Sequence, residues 1–193
     1  MKKIFTVLIV VFSTISVGLR AQEMSPGTNF LSLGIGPSYN YYHYDYYTGG
    51  IPAVKIALDH GFREAGPGTI TLGGSLGFFT QFYKNYYIYK GQSYNYTQHW
   101  TCLSAIFRAG YYYNFKRLKV PELNVYAGVG TGILQRFYSY NGPSTYDPLH
   151  QKGSGFIVAI YAGANYFLTK KFAFFTEFGY DISYVTIGMT FKL

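Results

Sequence analysis

The sequence predicts an all-β fold: a transmembrane antiparallel up-and-down β-barrel of eight strands, closed by strands one and eight. Three observations predict it. Apolar and polar residues alternate over eight segments, the charged residues of these segments fall on one side of the alternation, and short connections alternate with long ones. Side chains on a strand point alternately to two faces, so one face can contact hydrocarbon while the other encloses the charges.

The composition is unusual for a soluble domain. Charged residues make up 12% of the 193 residues and aromatic residues 21%, whereas soluble domains contain about 25% charged residues. A soluble surface this poor in charge would be difficult to keep in solution. A secreted lipocalin-like barrel, with its apolar rows inside, is the soluble alternative. The single cysteine, Cys102, excludes an intramolecular disulfide, and we interpret it as a small packing residue.

The first 21 residues are predicted to be a secretory signal peptide. Met1-Lys2-Lys3 is a basic start, and the uncharged segment 4–19 begins with a continuous apolar run. We expect cleavage after Ala21, with cleavage after Gly18 or a retained membrane anchor as the alternatives. Residues 22–193 then form one outer-membrane β-barrel domain.

Eight segments show the two-residue period of strands. In the third segment, for example, Ile70, Leu72 and Leu76 point to one face and Thr71 and Ser75 to the other. The predicted strands are 29–39, 53–62, 69–83, 99–115, 123–137, 155–167, 172–180 and 184–193. The nominally polar face also holds large apolar residues, which predict either a bulge or register change or packing inside the barrel: Phe79, Ile106, Ile157 and Phe175.

The connections provide a second line of evidence. Those after even strands are short: 63–68, 116–122 and 169–171. Those after odd strands are mostly long, namely 40–52, 84–98 and 138–154, although the last one, 181–183, is very short. Bacterial outer-membrane barrels have short periplasmic turns, longer outer loops and an even number of strands. Inside a bilayer an open sheet edge would leave backbone groups unsatisfied, so strand one must pair with strand eight.

The charged residues of the inward rows are predicted to form an ion-pair cluster in the lumen. An eight-stranded barrel is just wide enough for side chains to fill it, and buried charges need partners. We expect a structural filling, with a proton or ion pathway as the alternative. The predicted members are Lys55, Asp59, Arg108, Arg136 and Glu177.

The position of the basic residues in short turns predicts contact with anionic lipid headgroups rather than with nucleic acid, and the net charge of +8 overstates that of the mature chain. Removing Lys2, Lys3 and Arg20 with the signal peptide leaves 13 basic against 8 acidic residues, or +5. Ordinary solvated charges on turns are the alternative interpretation. The basic residues cluster in predicted turns at Lys116, Arg117, Lys119, Lys170 and Lys171.

Three features of the sequence resemble those of a known family. They are the lysine-led signal ending in Ala21-Gln22, the glycine-rich alternating strands and the terminal segment Ile187-Gly188-Met189-Thr190-Phe191-Lys192-Leu193. They resemble the small eight-stranded outer-membrane barrels of the OmpA/OmpX-like superfamily, especially the porin-like β-barrel domain proteins of Bacteroidetes. The resemblance implies residence in the bacterial outer membrane among lipid and lipopolysaccharide. It also implies that the last strand is recognised by the barrel-insertion machinery, although the family usually ends in an aromatic residue. That signal would comprise Val185, Ile187, Met189, Phe191 and Leu193.

No residues are predicted to be catalytic, to bind a cofactor or to bind a metal. A lipid A-modifying hydrolase or acyltransferase is the enzymatic alternative. Barrels that resemble the deacylases would show a His two residues before a Ser, which places base and nucleophile on one face of a strand. None of His43, His60, His99 and His150 has that spacing.

Tyrosines crowd the predicted outer loops. Tyrosine offers a large amphipathic contact surface at a low entropic cost, which favours a structural or surface-recognition role toward a glycan, lipopolysaccharide or a protein. The alternative is an aromatic belt at the membrane interface together with strands that extend past the membrane. The other candidate functions are a narrow conduit for small solutes and an accessory subunit of an envelope export complex. The predicted recognition residues are Tyr41, Tyr42, Tyr44, Tyr46, Tyr47, Tyr86, Tyr87, Tyr89, Tyr94 and Tyr96.

Overall fold

Eight antiparallel strands form a closed barrel in the computed structural model, which describes residues 23–38, 49–89, 91–115, 122–142 and 153–193. Each strand pairs with its neighbours in the chain, and the first pairs with the last. The predicted fold class and its closure are therefore confirmed. The strands are β1 (Asn29–Gly36), β2 (Gly49–Ala65), β3 (Gly68–Tyr89), β4 (Gln92–Asn114), β5 (Leu123–Asn141), β6 (Gly153–Phe167), β7 (Phe172–Tyr180) and β8 (Val185–Lys192).

Alternation along each strand separates an apolar outer face from a filled interior. In β2, Val54 and Ile56 are exposed on the outside, whereas Lys55 and Asp59 are buried inside. The same pattern runs round the barrel and gives a continuous apolar band, here called the belt. Its exposed aliphatic and aromatic members include Leu33, Ile35, Leu58, Ile70, Leu76, Leu103, Phe107, Val129, Ile133, Phe156, Val158, Ile160, Phe174, Phe178, Ile187 and Met189.

The large apolar residues on the predicted polar face pack inside the barrel without disturbing the register. Phe79, Ile106, Ile157 and Phe175 are all buried, and the strand pairing is regular at each of them. The expectation of a bulge there was wrong, and the packing alternative was right. The irregularities lie in β2 instead, between residues 51 and 54 and between 61 and 63. Pro52 falls in the first of them, where a residue without an N–H donor is tolerated.

The predicted long connection 84–98 is wrong, because β3 and β4 continue as a hairpin up to the pair Tyr89↔Gln92. Gly91, with a φ of 78°, supplies the left-handed conformation of a tight turn. Tyrosine, isoleucine and threonine favour strands, so this segment continues the sheet although it is polar. The recognition tyrosines of this connection, Tyr86, Tyr87, Tyr89, Tyr94 and Tyr96, therefore lie in strands. Residues 138–141 of the predicted third long connection likewise belong to β5.

The two ends of the barrel differ. The described segment before β1, the C-terminus and the β2–β3 and β6–β7 turns lie at one end, here called the terminal end. The β3–β4 turn and the β7–β8 turn lie at the other, the loop end. Strand lengths run from 8 residues in β1 and β8 to 23 in β4, so the wall is much taller on the β3–β4 side. Residues 1–21, the first-loop tyrosines and Lys116, Arg117 and Lys119 lie outside the described residues. Within the described ranges, no helix is long and apolar enough to span a membrane.

Candidate functional site

Four charged side chains meet in the middle of the lumen. Glu177 on β7 accepts hydrogen bonds from two cations, with 2.6 Å between Lys55 Nζ and its Oε1 and 2.8 Å between Arg108 Nη2 and its Oε2. Arg108 also pairs with Asp59, at 3.3 Å from Nε to Oδ1. All four side chains are at most 5% exposed. These contacts join β2, β4 and β7 across the barrel, and we call the group the ionic layer.

Asp181 belongs to the ionic layer, although the sequence analysis placed it in a short outer connection. Its carboxylate forms an ion pair with Lys55 and is 5% exposed. The other oxygen accepts backbone hydrogen bonds from Ile182 N at 2.6 Å and Ser183 N at 3.2 Å. The β7–β8 turn therefore folds into the barrel rather than away from it. An Asp two residues before a Ser in a very short connection is an Asx-turn pattern, which indicates the turn but not its path into the barrel.

Arg136 lies apart from the other predicted members. On β5 the residue opposite Arg108 is Gly130, and six residues separate Gly130 from Arg136, which is about 20 Å along a strand. Arg136 is half-buried, opposite Cys102 on one side and Gly153 on the other. The sequence pattern fixes which face a residue points to but leaves its height in the barrel open.

An aromatic layer fills the lumen between the ionic layer and the terminal end. Tyr112 Oη donates to Asp59 at 2.9 Å, and Tyr126 Oη donates to Glu177 at 3.0 Å. The two tyrosine rings stack with centroids 4.6 Å apart. The Arg108 guanidinium lies 3.9 Å from the centroid of the Tyr161 ring, a cation–π contact. Fully buried side chains complete the layer: Met24, Phe30, Phe167 and Ala173.

Met24 brings the segment before β1 into the terminal end of the lumen. Its carbonyl oxygen accepts hydrogen bonds from Thr69 Oγ1 at 2.8 Å and Asn114 Nδ2 at 3.2 Å. Ser25 packs so closely on Gly61 that a Cβ there would meet the Ser25 carbonyl carbon at 2.8 Å. The terminal end is therefore closed by the chain itself.

An apolar layer fills the lumen between the ionic layer and the loop end. Ile182 of the β7–β8 turn is 1% exposed and lies against Gly77, where an added Cβ would meet its Cγ1 at 3.0 Å. Cys102 is 1% exposed in the same layer. The other members are Ala53, Phe79, Ile106, Leu134, Ile157 and Ala159. The apolar, ionic and aromatic layers thus follow one another in the lumen toward the terminal end.

The loop end carries an aromatic ladder on the extended strands. Trp100 and Tyr138 lie with ring centroids 5.5 Å apart, and Tyr96 lies 6.1 Å from Tyr83 and 6.0 Å from Tyr140. On the opposite face of the hairpin, Tyr86 and Ile88 are 62% and 69% exposed.

Of the predicted recognition residues, those in the first loop lie outside the described residues. Tyr86 is highly exposed and Tyr94 and Tyr96 are partly exposed, whereas Tyr87 and Tyr89 are placed only as members of β3.

The predicted insertion signal forms the closing strand. β8 pairs with β7 on one side and β1 on the other. Ile187 and Met189 are exposed in the belt, and Leu193 follows the end of the strand.

Among the described residues, no group of three or more His, Cys, Asp or Glu side chains is arranged to hold a metal ion. His43 and His150 lie outside the described ranges.

No protein-family model matches the chain, and no curated protein matches its sequence. Among solved structures, the chain is similar to the crystal structure of Ail, the attachment invasion locus protein of Yersinia pestis. The TM-score is 0.45 at 13% identity, over 86% of this chain and 95% of that one. The structure of Ail in a phospholipid bilayer nanodisc has a TM-score of 0.39 at 12% identity, over 86% and 99%. Ail in complex with the heparin analogue sucrose octasulfate has a TM-score of 0.35 at 12% identity, over 86% and 96%.

Proposed function

We propose that this chain is an integral outer-membrane β-barrel protein of a Gram-negative bacterium, with a non-enzymatic role in surface recognition at its loop end. The observation that carries the proposal is the distribution of its side chains. The belt is apolar and exposed, whereas the charges are enclosed. Soluble monomers rarely expose contiguous apolar patches larger than a few hundred Å². A belt on every strand is stable only where hydrocarbon replaces water.

Export and insertion follow from this location. Residues 1–21 would act as the signal peptide and leave the barrel domain of residues 22–193. The terminal end then faces the periplasm, and the loop end faces the exterior. Val185, Ile187, Met189, Phe191 and Leu193 would serve as the signal for the barrel-insertion machinery, because they form the closing strand and its end.

The three layers of the lumen support a structural role for the interior. Buried charges are tolerated when they are paired and hydrogen-bonded. Each charged group of the ionic layer has an ion-pair partner and at least one hydrogen bond, and Asp59 Oδ1 and Arg108 Nε contact each other at 3.3 Å as an ion pair only. A conduit would need a continuous polar path, whereas the apolar layer places Phe79, Ile106 and Leu134 across the lumen. We therefore assign the ionic layer to holding the barrel wall together.

The hairpin formed by β3 and β4 supports recognition. Among the described residues, β2 pairs with β3 as far as Phe82, and β5 pairs with β4 as far as Thr97. Beyond these points the two strands pair with each other up to Tyr89↔Gln92. This part of the hairpin carries Tyr86, which is 62% exposed on the outward face, and Tyr94 and Tyr96, which are partly exposed on the opposite face. Tyrosine supplies contact area to glycans and proteins at a low entropic cost.

Location and binding can be tested together. The full chain would be expressed in a Gram-negative host, fractionated, and examined for a heat-modifiable band. A variant in which residues 85–96 are replaced by a two-residue turn would be compared with Cys102→Ser, which leaves the hairpin intact. We expect all three proteins to insert into the outer membrane. Binding to glycan arrays and to intact cells should be lost only in the shortened variant. Equal binding by the shortened variant would contradict the recognition role.

A further inference from the structure

The belt contains a groove on the outward surface of β2 to β5. Its volume is about 480 Å³, which is within the range of sites that hold small ligands. Leu76, Ala105 and Ile133 are direct neighbours in one row across three strands. The small alanine between two large residues makes this row concave. Val54, Phe78 and Leu103 complete the apolar walls.

A polar side chain lines the loop-end side of this groove. Gln135 lines the groove beside Leu103. Its Oε1 accepts a hydrogen bond from Ser154 Oγ at 2.5 Å, and its Nε2 donates to the Arg136 carbonyl oxygen at 3.4 Å. One row closer to the loop end, Thr80 and Thr101 join their hydroxyl groups. The polar side chains of Gln135, Ser154, Thr80 and Thr101 therefore lie together at the loop-end side of the groove, with the exposed apolar residues Ile51 and Phe137 beside them.

The groove thus begins at this group of polar side chains and continues along apolar side chains toward the terminal end. A membrane lipid has the same order of groups, with polar linkages at the membrane surface and acyl chains beneath them. The loop end would face the exterior, and the external leaflet of a Gram-negative outer membrane contains lipopolysaccharide. A lipid A chain would enter the groove from the loop end.

We propose that this groove is a binding site for one acyl chain of lipid A, with an ester or hydroxyl group of the lipid at Gln135. The assignment rests on the outer-membrane location proposed above. The walls supply apolar contact to the chain, and the Gln135 amide supplies a donor and an acceptor to the linkage. The chain would be held longer here than on the convex parts of the belt, because it contacts side chains on both sides of the groove.

Filling the groove tests the assignment. Ala105→Phe places a ring in the concave row, and Ala162→Phe is the matched control, because Ala162 is also exposed on the outside but does not line the groove. The proteins would be extracted from outer membranes in a mild detergent, and native mass spectrometry would measure the lipid A retained per barrel. We expect a loss of about tenfold or more in Ala105→Phe, because a few buried methylene groups account for such a factor. Ala162→Phe should retain as much lipid A as the parent.

Gln135→Leu separates the polar contact from the groove itself. It should retain less lipid A than the parent, with heat-modifiable migration unchanged. Equal retention by the parent and Ala105→Phe would overturn the assignment. Retention of phospholipid alone, or a dimer that Ala105→Phe abolishes, would overturn it in favour of another occupant. A barrel that inserts in the outer membrane but holds no lipid A overturns this inference alone. A chain absent from the outer membrane overturns the proposed function as well.

Discussion

Arg108 and Glu177 are 69 residues apart in the chain, and their side chains meet at 2.8 Å inside the barrel. β4 and β7 are not neighbours in the sheet, so this contact connects opposite parts of the wall. Glu177 also binds Lys55 of β2 at 2.6 Å. One carboxylate therefore pairs with two cations from two other strands, and its loss would remove two of the four described ion pairs of the ionic layer.

We expect Glu177→Gln to destabilise the barrel strongly. The amide keeps the shape of the side chain but places an NH2 group or a neutral oxygen, instead of carboxylate oxygens, against Lys55 and Arg108. Removing one member of a buried ion pair costs about 3–5 kcal/mol. Urea unfolding of the reconstituted protein, followed by heat-modifiable migration, would measure the loss. Glu64→Gln is the control, because Glu64 is exposed near a turn and should change the free energy of unfolding by less than about 0.5 kcal/mol. Equal stability of the two variants would contradict the role of the ionic layer.

The sequence predicts well which face of a strand a residue occupies, but it predicts poorly the level of that residue along the barrel axis. The two-residue period fixes whether Lys55 or Val54 points inward, because a shift of one residue would turn the whole row over. It does not fix the register between distant strands. For this reason Arg136 points inward as expected but lies about 20 Å along the strand from the level of Arg108.

Sequence patterns missed two features. One is the β7–β8 turn that folds into the barrel, and the other is the extension of β3 and β4 beyond the belt. Asp181 looks like an ordinary turn residue, and only the three-dimensional path of the β7–β8 turn brings it to Lys55. The segment 84–98 looks like a loop because it is polar, yet Tyr86 and Ile88 continue the alternation of a hairpin. Polarity predicts exposure to water, whereas hydrogen bonding to a neighbouring strand decides whether the segment is a strand.

A double-mutant cycle should detect the ion pair between Lys55 and Asp181. The single variants Lys55→Met and Asp181→Asn each remove one charge, and the double variant removes both. Because the two groups are in contact and buried, we expect a coupling energy of about 1–3 kcal/mol in the free energy of unfolding. The same cycle between Lys55 and Glu64 should give a coupling energy near zero. Additive losses at Lys55 and Asp181 would show that the turn is held by other contacts.

Two glycines of β6 should respond differently to alanine. At Gly163 an added Cβ would lie 2.5 Å from Tyr126 Cζ and 2.6 Å from the Thr176 carbonyl oxygen. Gly163→Ala should therefore displace the aromatic layer and destabilise the barrel by about 1–3 kcal/mol. At Gly153 nothing lies within 4 Å of the added atom, so Gly153→Ala should leave the stability unchanged. Urea unfolding of both variants would measure the difference, and similar losses in the two would argue against close packing around Gly163.

Cys102 should be protected from thiol reagents in the folded barrel. Its side chain points into the apolar layer and is 1% exposed. A maleimide should react slowly with the inserted protein and rapidly after unfolding in urea. Lys170→Cys in a Cys102→Ser background is the control, because Lys170 is exposed in the β6–β7 turn and should react rapidly in both states. Rapid labelling of Cys102 in the folded barrel would show that the apolar layer admits solvent.

Planar bilayer recordings should show no sustained conductance for the parent protein. The three layers block the lumen at different heights, so removing one of them should leave the other two in place. Ile182→Gly is informative, because it removes the turn residue of the apolar layer while Tyr112, Tyr126 and Tyr161 still fill the lumen below. We expect this variant to remain closed as well. A steady conductance in the parent that disappears in Glu177→Gln would contradict the structural role and would favour an ion pathway through the ionic layer.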